Sequence, residues 1–421
     1  MRKFIPILAV VMALGSVLRL ASAEEPRPAA AGTALSLEEA LRRANDVAPQ
    51  VVLAQYGVRE ATARRTGAGL RFPGNPRLSG EARPAVTGGS FFGDMGYAAA
   101  LDVPMDLGGA PGARKREADR GVGVAQAELA TVRKQARSEV FAAYIHVVAW
   151  ARRMEEVDAL IAIAERILRA STARADAGAS GDVDEASARS ELSVLQSQRE
   201  SATRERDAYL MHLRSLLDMS AGAPLTLTTP LGNPQPPAAE NQLVARALNH
   251  KPELAQARAQ VAALMATSDR LKSELFPRLS VYLGVDAAPV SPIFGQVGLS
   301  VELPVAQRNQ QARAVTDART QAEQERLELL LRQVVRDVSG RLAAYESRRR
   351  ELAVLSDKGL PAAERTLELV ETGWLAGRFD IFRVTAAARD VARVRALRTD
   401  ALESAWLEYI ALEFAVGGAP L

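Results

Sequence analysis

The sequence of 421 residues contains no cysteine and only three histidines, and aromatic residues make up 5% of it. The absence of cysteine excludes disulfide bonds, thiol nucleophiles, thiolate metal sites and cysteine lipidation. The histidines, His146, His212 and His250, are far apart, so we interpret each as an isolated core or surface residue. Neither a glycine-rich phosphate loop nor a G-x-S-x-G motif occurs. We therefore predict that the protein is not an enzyme and that it binds no cofactor and no resident metal.

The sequence also has no large excess of charge of either sign. The chain has 53 basic and 50 acidic residues, but Arg2, Lys3 and Arg19 lie in a segment that has the pattern of a removable leader. Without them the basic and acidic residues balance. A protein that binds nucleic acid needs a basic surface to displace counterions, so we do not expect nucleic acid as a partner.

Long hydrophobic runs are confined to the N-terminus. Residues 1–23 combine two basic residues, an apolar stretch from Phe4 to Leu18 and the triplet Ala21-Ser22-Ala23. This is the pattern of a secretory signal peptide cleaved near Ala23. An uncleaved membrane anchor is the weaker alternative, because a span needs about 20 apolar residues. We therefore predict export.

An internal repeat organises the rest of the chain. Pro76-Arg77-Leu78-Ser79 recurs as Pro277-Arg278-Leu279-Ser280, and four further pairs recur in the same order at offsets of 200–203 residues. Because collinear matches at a nearly constant offset indicate duplication, we predict two halves, 24–218 and 242–416. The segment 219–241 between them contains five prolines and is predicted to be a linker, and 417–421 form a short tail.

Each half is predicted to read helix, β-hairpin, long helix and return helix. The first helix starts with a capping box at Ser36-Leu37-Glu38-Glu39, and its counterpart runs from about 242 to 275. The hairpins are expected at about 76–104 and 277–304, where apolar residues alternate with small or polar ones. A soluble sheet with one solvated face would give the same alternation. The apolar residues are Phe91, Met95, Tyr97, Leu101 and Val103 in the first hairpin, and Val281, Leu283, Val285, Val297, Leu299, Val301 and Leu303 in the second.

Two long stretches, about 110–172 and 310–372, are rich in good helix formers. The only interruption that we expect in them is Pro361. In the first stretch, apolar residues recur every seven positions from Val140, with a second series from Ala143, which predicts a coiled coil. In the second, the stripe consists of Leu331, Val335, Val338, Leu342, Tyr345 and Leu352. About 60 residues of helix are about 90 Å long, so we predict a rod-shaped molecule.

Each long helix is predicted to end in a turn that contains glycine and aspartate, at 177–183 and at 376–381. Glycine adopts the left-handed conformation that ends a helix, and Asp182 and Asp380 can cap the returning helices. Loops also carry contacts to partners, so these turns are our candidate functional site. The residues assigned to it are Gly178, Ser180, Gly181, Asp182, Asp184, Gly377, Arg378, Phe379 and Asp380.

Four strands of about 10 residues are each long enough to cross a bilayer, but a membrane barrel needs at least eight strands, so one chain cannot close one. The sequence alone does not give the number of chains. With its signal peptide, duplicated halves, paired hairpins and long helices ending in Ala-Gly turns, the chain resembles the TolC family of outer-membrane efflux factors. The segment Val301–Gln310 is similar to the strand-to-helix segment of the CzcC-like heavy-metal branch, although Ala306 replaces its usual aromatic residue.

The resemblance implies a mainly α-helical fold with a β-barrel portion: a homotrimer whose strands form a 12-stranded transmembrane barrel continuing into an α-helical periplasmic tunnel. It implies a passive exit duct in the outer membrane with a large periplasmic part. The turns would dock on a periplasmic adaptor (a membrane fusion protein), and an inner-membrane pump, of the resistance-nodulation-division type, would deliver the cargo. Repeated by symmetry, Asp176, Asp182, Asp184 and Asp380 would form acidic rings that favour cations such as divalent heavy metals.

Two alternatives remain open from the sequence. A periplasmic coiled-coil adaptor would be expected to carry one helical hairpin between split β-domains. A soluble structural coiled-coil protein would have no need of paired alternating strands. Only the channel is expected in the outer membrane as a detergent-extractable trimer, and the sequence does not specify its cargo.

Overall fold

The structure is a computed structural model that describes residues 33–84, 95–176, 182–287 and 292–418. Its helices and strands alternate in a mainly helical chain. The helices are α1 (Leu37–Val47), α2 (Pro49–Arg65), α3 (Ala110–Asp176), α4 (Asp182–Leu216), α5 (Glu240–His250), α6 (Pro252–Ser273), α7 (Gln310–Val354), α8 (Leu360–Leu375) and α9 (Ile381–Val416). The strands are β1 (Thr33–Leu35), β2 (Arg77–Pro84), β3 (Met95–Met105), β4 (Leu225–Leu227), β5 (Arg278–Ala287) and β6 (Phe294–Glu302).

Proline divides the helix expected before each hairpin into two. Ser36 caps α1 as predicted, with its hydroxyl accepting a hydrogen bond from the Glu39 amide at 3.2 Å. The helix then stops at Ala48, whose ψ of 131° is extended, and α2 restarts at Pro49. Lys251, with ψ of 118°, separates α5 from α6 in the same way, so the single helix expected from 242 to 275 is wrong. The reason is that the ring of a proline disfavours a helical conformation in the residue before it.

The two hairpins join into one antiparallel sheet in the order β2-β3-β5-β6. In this register, one row across the four strands consists of Leu78, Leu101, Leu283 and Val297, whereas the next row consists of Ser79, Ala100, Gly284 and Gln296. Neighbouring rows point to opposite faces of a sheet. The sheet therefore has one apolar and one polar face, as the alternation predicted for its described residues. Phe91 lies outside the described residues.

The apolar face is exposed in the single chain. Leu78 is 78% exposed, Val297 81% and Leu299 71%. A soluble monomer rarely leaves a continuous apolar patch of this kind uncovered, so this face needs an apolar environment or a partner.

The long helices give the molecule its length. The 67 residues of α3 span about 100 Å at about 1.5 Å per residue. In the second half, α7 passes through a π-helical turn at Leu355–Gly359 into α8. Pro361 directly follows this turn, so the helical hydrogen bonding changes at the interruption that the sequence predicted, while the chain continues as a helix into α8.

The predicted seams are correct at some positions and shifted by about one residue at others. In α3, Val140 and Ala143 are buried, but Met154 is only half-buried. In α7, Val338 is buried as predicted, while Val335 is 39% exposed and its neighbour Val334 is fully buried. These helices pack against more than one neighbour, and an α-helix of 3.6 residues per turn rotates away from a strict seven-residue repeat.

The linker between the halves is fastened to the helices by two tyrosines. Its β4 pairs in parallel with β1, a two-stranded sheet that the sequence did not indicate. The buried Tyr144 hydroxyl accepts a hydrogen bond from the Thr229 amide at 2.9 Å. The Tyr345 hydroxyl, 201 residues later in the chain, donates to the Gln235 carbonyl at 2.6 Å. Both tyrosines thus position the linker across the middle of the helices.

Across the described ranges, helices that combine the length and apolar character needed to span a membrane are absent.

Candidate functional site at the helical tip

The two helical hairpins end side by side. We call this end of the molecule, formed by residues 160–176, 182–195 and 370–392, the tip. One apolar cluster holds it together and takes a residue from each of four helices: Ile167 from α3, Ala188 from α4, Trp374 from α8 and Val384 from α9. The structure therefore brings together the four helices that flank the two predicted turns.

The second turn ends α8 with a double backbone hydrogen bond. The Arg378 amide donates to the Gly373 carbonyl at 2.8 Å, and the Gly377 amide donates to the Trp374 carbonyl at 2.9 Å. Gly377 has a φ of +73°, which glycine adopts without the steric cost of a Cβ atom. This pair of bonds is the Schellman motif, so the predicted role of Gly377 in ending the helix is confirmed.

Phe379 folds back over Gly373. A Cβ atom built on Gly373 would lie 2.4 Å from Cδ2 of the Phe379 ring, so this position accepts only glycine while the ring stays in place. The other face of the ring carries the Arg383 guanidinium, 5.1 Å from the ring centroid. The ring is therefore fixed between helix α8 and helix α9.

Asp380 caps α9, as predicted. Its Oδ1 accepts a hydrogen bond from the Arg383 amide at 3.0 Å. The side chain is exposed, so the cap leaves the carboxylate facing solvent. Arg378 is also exposed and forms no ion pair within the described ranges. Capping and surface charge thus coexist at this turn.

The first turn is described only at its edges. Helix α3 ends at Asp176, which is exposed, and α4 begins at Asp182, with Asp184 in the same helical turn. Gly178, Ser180 and Gly181 lie outside the described residues. Their predicted role, like that of the Asp182 and Asp184 side chains, stays a prediction.

An ion pair joins the two halves of the chain at the tip. Arg389 on α9 donates from Nε to Oε1 of Glu191 on α4 at 3.0 Å, and its terminal nitrogen contacts the second oxygen. The hydrogen bonds from Arg389 hold the pKa of the Glu191 carboxyl below its usual value. Beside this pair, a cavity of about 50 Å³ runs between α3, α4 and α9, with apolar walls that include Ile163 and Phe382. The pair joins two helices that are almost 200 residues apart in sequence.

Sequence reasoning did not identify Gly373, Trp374, Glu191 or Arg389. Gly373 could have been found, because it stands four residues before the predicted turn glycine, at the helix position that receives the Schellman hydrogen bond. Nothing in the sequence around Glu191 or Arg389 indicates that they pair, since each residue alone is typical of a solvent-exposed helix face.

A buried charged network ties α3 to α9 above the tip. His146 Nδ1 lies 2.6 Å from Glu403 Oε1, and its ring stacks on Tyr209 at 4.5 Å between centroids. Arg153 contacts Glu403 and forms a second ion pair with Asp400 at 2.6 Å. Our interpretation of His146 as an isolated residue is therefore wrong. Burial alone would raise the pKa of Glu403, but the hydrogen bonds from His146 and Arg153 outweigh it and lower the pKa.

Within the described ranges, no three His, Cys, Asp or Glu side chains converge on a point where they could hold a metal ion. The fold defines a class of elongated protein, in which strands long enough to cross a bilayer continue into paired helices.

Comparison with known proteins finds relatives of this kind. Residues 243–418 match the family model described as outer membrane efflux protein. The cobalt-zinc-cadmium resistance protein CzcC of Cupriavidus metallidurans is 29% identical over 309 residues, 71% of this chain and 72% of CzcC. The second half of the chain is therefore similar to the outer membrane efflux protein family.

Solved structures share the fold across almost the whole chain. The similarity to CusC has a TM-score of 0.76 at 17% identity and covers 92% of this chain and 93% of that one. The outer membrane protein VceC from Vibrio cholerae gives a TM-score of 0.73 at 15% identity, over 91% of this chain and 96% of that one.

Proposed function

We propose that the protein is the outer-membrane channel of a tripartite efflux system, a passive exit duct without chemistry of its own. The observation that carries this proposal is the sheet: its apolar face is exposed on a chain whose helices extend about 100 Å away from it. A bilayer around the sheet and an aqueous compartment around the helices satisfy both parts of the molecule.

Closure of the sheet requires further copies of the chain. Within the described ranges, β2 and β6 each pair on one side only, which leaves two edges with unpaired backbone groups. Three copies supply 12 strands, and pairing of β6 with β2 of the next copy would form a transmembrane barrel that has no free edge. The row of Leu78 and Val297 would then face lipid, and the row of Ser79 and Gln296 would face the lumen.

The duplicated halves would build the tunnel. Residues 37–216 and 240–416 follow the same order of two short helices, a hairpin, a long helix and a return helix. We therefore propose that the linker 219–241 separates two repeats, so that three chains give a tunnel with sixfold pseudo-symmetry in the periplasm. Export by a signal peptide cleaved near Ala23 belongs to the same proposal.

The tip is the proposed aperture and docking end. Its turns at 177–181 and 376–380 would meet a periplasmic adaptor, and an inner-membrane pump of the resistance-nodulation-division type would supply energy and direction. Heavy-metal cations are the proposed cargo, because the relative CzcC is named for cobalt, zinc and cadmium resistance. Acidic rings from Asp182, Asp184 and Asp380 would favour such cations.

The test of the channel is single-channel recording of the detergent-extracted protein in a planar bilayer, with size analysis of the same sample. We expect a trimer with discrete, cation-preferring openings. A soluble protein without conductance would overturn the proposal and favour a periplasmic adaptor or structural protein.

The test of the aperture is charge reversal. Asp182→Lys should reduce cation selectivity, whereas Glu200→Lys, a matched change at a 75% exposed residue of the same helix outside the tip, should not. Unchanged selectivity in Asp182→Lys would remove the acidic ring from the proposal.

A further inference from the structure

A large cavity lies in the middle of the molecule, away from the tip. It is an open cleft with a volume of about 870 Å³, bounded by α3, α4, the linker strand β4, the start of α8 and the middle of α9. Ligand sites in proteins commonly measure about 300–1,000 Å³, so the size is that of a binding site for a small molecule. Nothing in the proposed duct function uses this cavity.

Four arginines line this cavity, against two glutamates. The arginines come from three helices: Arg152 from α3, Arg206 from α4, and Arg395 and Arg398 from α9. Three of them have carboxylate partners. Arg152 lies 3.5 Å from Glu156, Arg206 pairs with Asp207 at 2.7 Å, and Arg395 pairs with Glu364 at 2.7 Å.

Arg398 is the exception. Its Nε donates to Ser356 Oγ at 3.0 Å, and no carboxylate of the described chain lies within ion-pair distance. Burial, followed by the neighbouring Arg152 charge, lowers the pKa of its guanidinium, and the more distant carboxylates of Glu156 and Glu364 offset this only in part. A half-buried guanidinium that faces another cation and keeps its two terminal nitrogens free is short of an anion.

The surroundings of Arg398 fit a site rather than a chance gap. Ser356 belongs to the π-helical turn at Leu355–Gly359, and such turns occur often at functional sites. The remaining walls combine apolar residues, among them Val148, Leu210 and Leu360, with the threonines of the linker. A ligand with one anionic group and an apolar or neutral body would match this combination of charge and volume.

We propose that this cavity binds an oxyanion, a phosphate or carboxylate group carried by a small molecule, with Arg398 as its main ligand. The guanidinium suits this chemistry because its planar donors match the two oxygens of either group. The bound anion would connect α3, the linker and α9, so it would stabilise the middle of the tunnel.

The experiment is calorimetric titration of the full-length detergent-extracted protein with sodium pyrophosphate and, separately, citrate, each at constant ionic strength set with chloride. If only pyrophosphate binds saturably, the site is specific for phosphate groups. If only citrate binds saturably, it is specific for carboxylate groups. Absence of saturable binding for both overturns the proposal.

Variants locate the site. Arg398→Gln should weaken binding about tenfold or more, because it removes a charge-assisted contact. The matched control Arg393→Gln, on the same helix but 71% exposed, should stay within about twofold of the wild type. Equal weakening in both variants would reduce the effect to nonspecific surface charge and refute the site. If Arg398→Gln does not fold, Arg398→Lys, which keeps the charge but lacks the planar pair of donors, should still weaken binding.

Discussion

Replacing Gly373 by alanine tests how the second turn of the tip is held in place. In the structure the Phe379 ring occupies the space that an alanine side chain would need, with 2.4 Å between the new Cβ and Cδ2 of the ring. Carbon atoms in contact lie about 3.5–4.0 Å apart, so the ring must move by more than about 1 Å. That movement also disturbs its contact with Arg383.

The magnitude follows from two opposing effects. Overpacking of this kind costs about 1–3 kcal/mol, whereas alanine is favoured over glycine in a helix by up to about 1 kcal/mol. With the full helix gain subtracted, the net loss of local stability is up to about 2 kcal/mol, which raises the population of the opened turn up to about 30-fold. Global stability should change little, because the effect is confined to the turn.

Limited proteolysis measures this opening directly, since Arg378 is exposed and trypsin cleaves after it. Gly373→Ala should accelerate cleavage at this bond by the factor given above. In a Phe379→Ala background the clash is absent, so the same substitution should slow cleavage instead. Gly340→Ala is the matched control, because its new Cβ meets nothing within 4 Å. An equal effect of Gly373→Ala in both backgrounds would refute the reasoning.

Three further predictions concern buried polar groups, each measured by thermal unfolding. The pKa of Glu403 is lower in the folded protein than its value of about 4.5 in the unfolded chain, so the charged carboxylate stabilises the fold above that pH. This stabilisation is lost as the pH falls through the folded-state pKa. Glu403→Gln should therefore melt at a lower temperature than the wild type at pH 7, and the difference should be smaller near pH 3. Burial lowers the pKa of Lys134 to about 8, so between pH 8 and about 10.4 the unfolded chain binds more protons than the folded one. The contribution of Lys134 to stability should therefore increase as the pH rises through this range, and Lys134→Met should lack this increase. Tyr345→Phe leaves the Gln235 carbonyl without its donor and should cost about 1 kcal/mol, and an unchanged melting temperature would show that the linker contact contributes nothing.

Local signals in the sequence predicted the elements well. The alternation of Val281, Leu283 and Val285 gave the strand and its faces, because a strand turns successive side chains to opposite sides. The Ala-Gly turn before Asp380 gave both the end of one helix and the cap of the next, since both depend on bonds within a few residues. The failures at Ala48 and Lys251 were of the same local kind, and attention to the following prolines would have corrected them.

The sequence by itself determined where the chain is helical, where it forms hairpins and where it turns, because periodicity, proline and capping act over short distances. It also indicated the family, through the repeated order of those elements. Only the tertiary structure decided that the helices flanking the two turns meet in one tip, that Glu191 pairs with Arg389, and that Arg398 lines a cavity without an ion-pair partner of its own. These features depend on which helix lies beside which. Contacts between residues hundreds of positions apart leave no periodic trace, because any solvated helix face can carry the same charges.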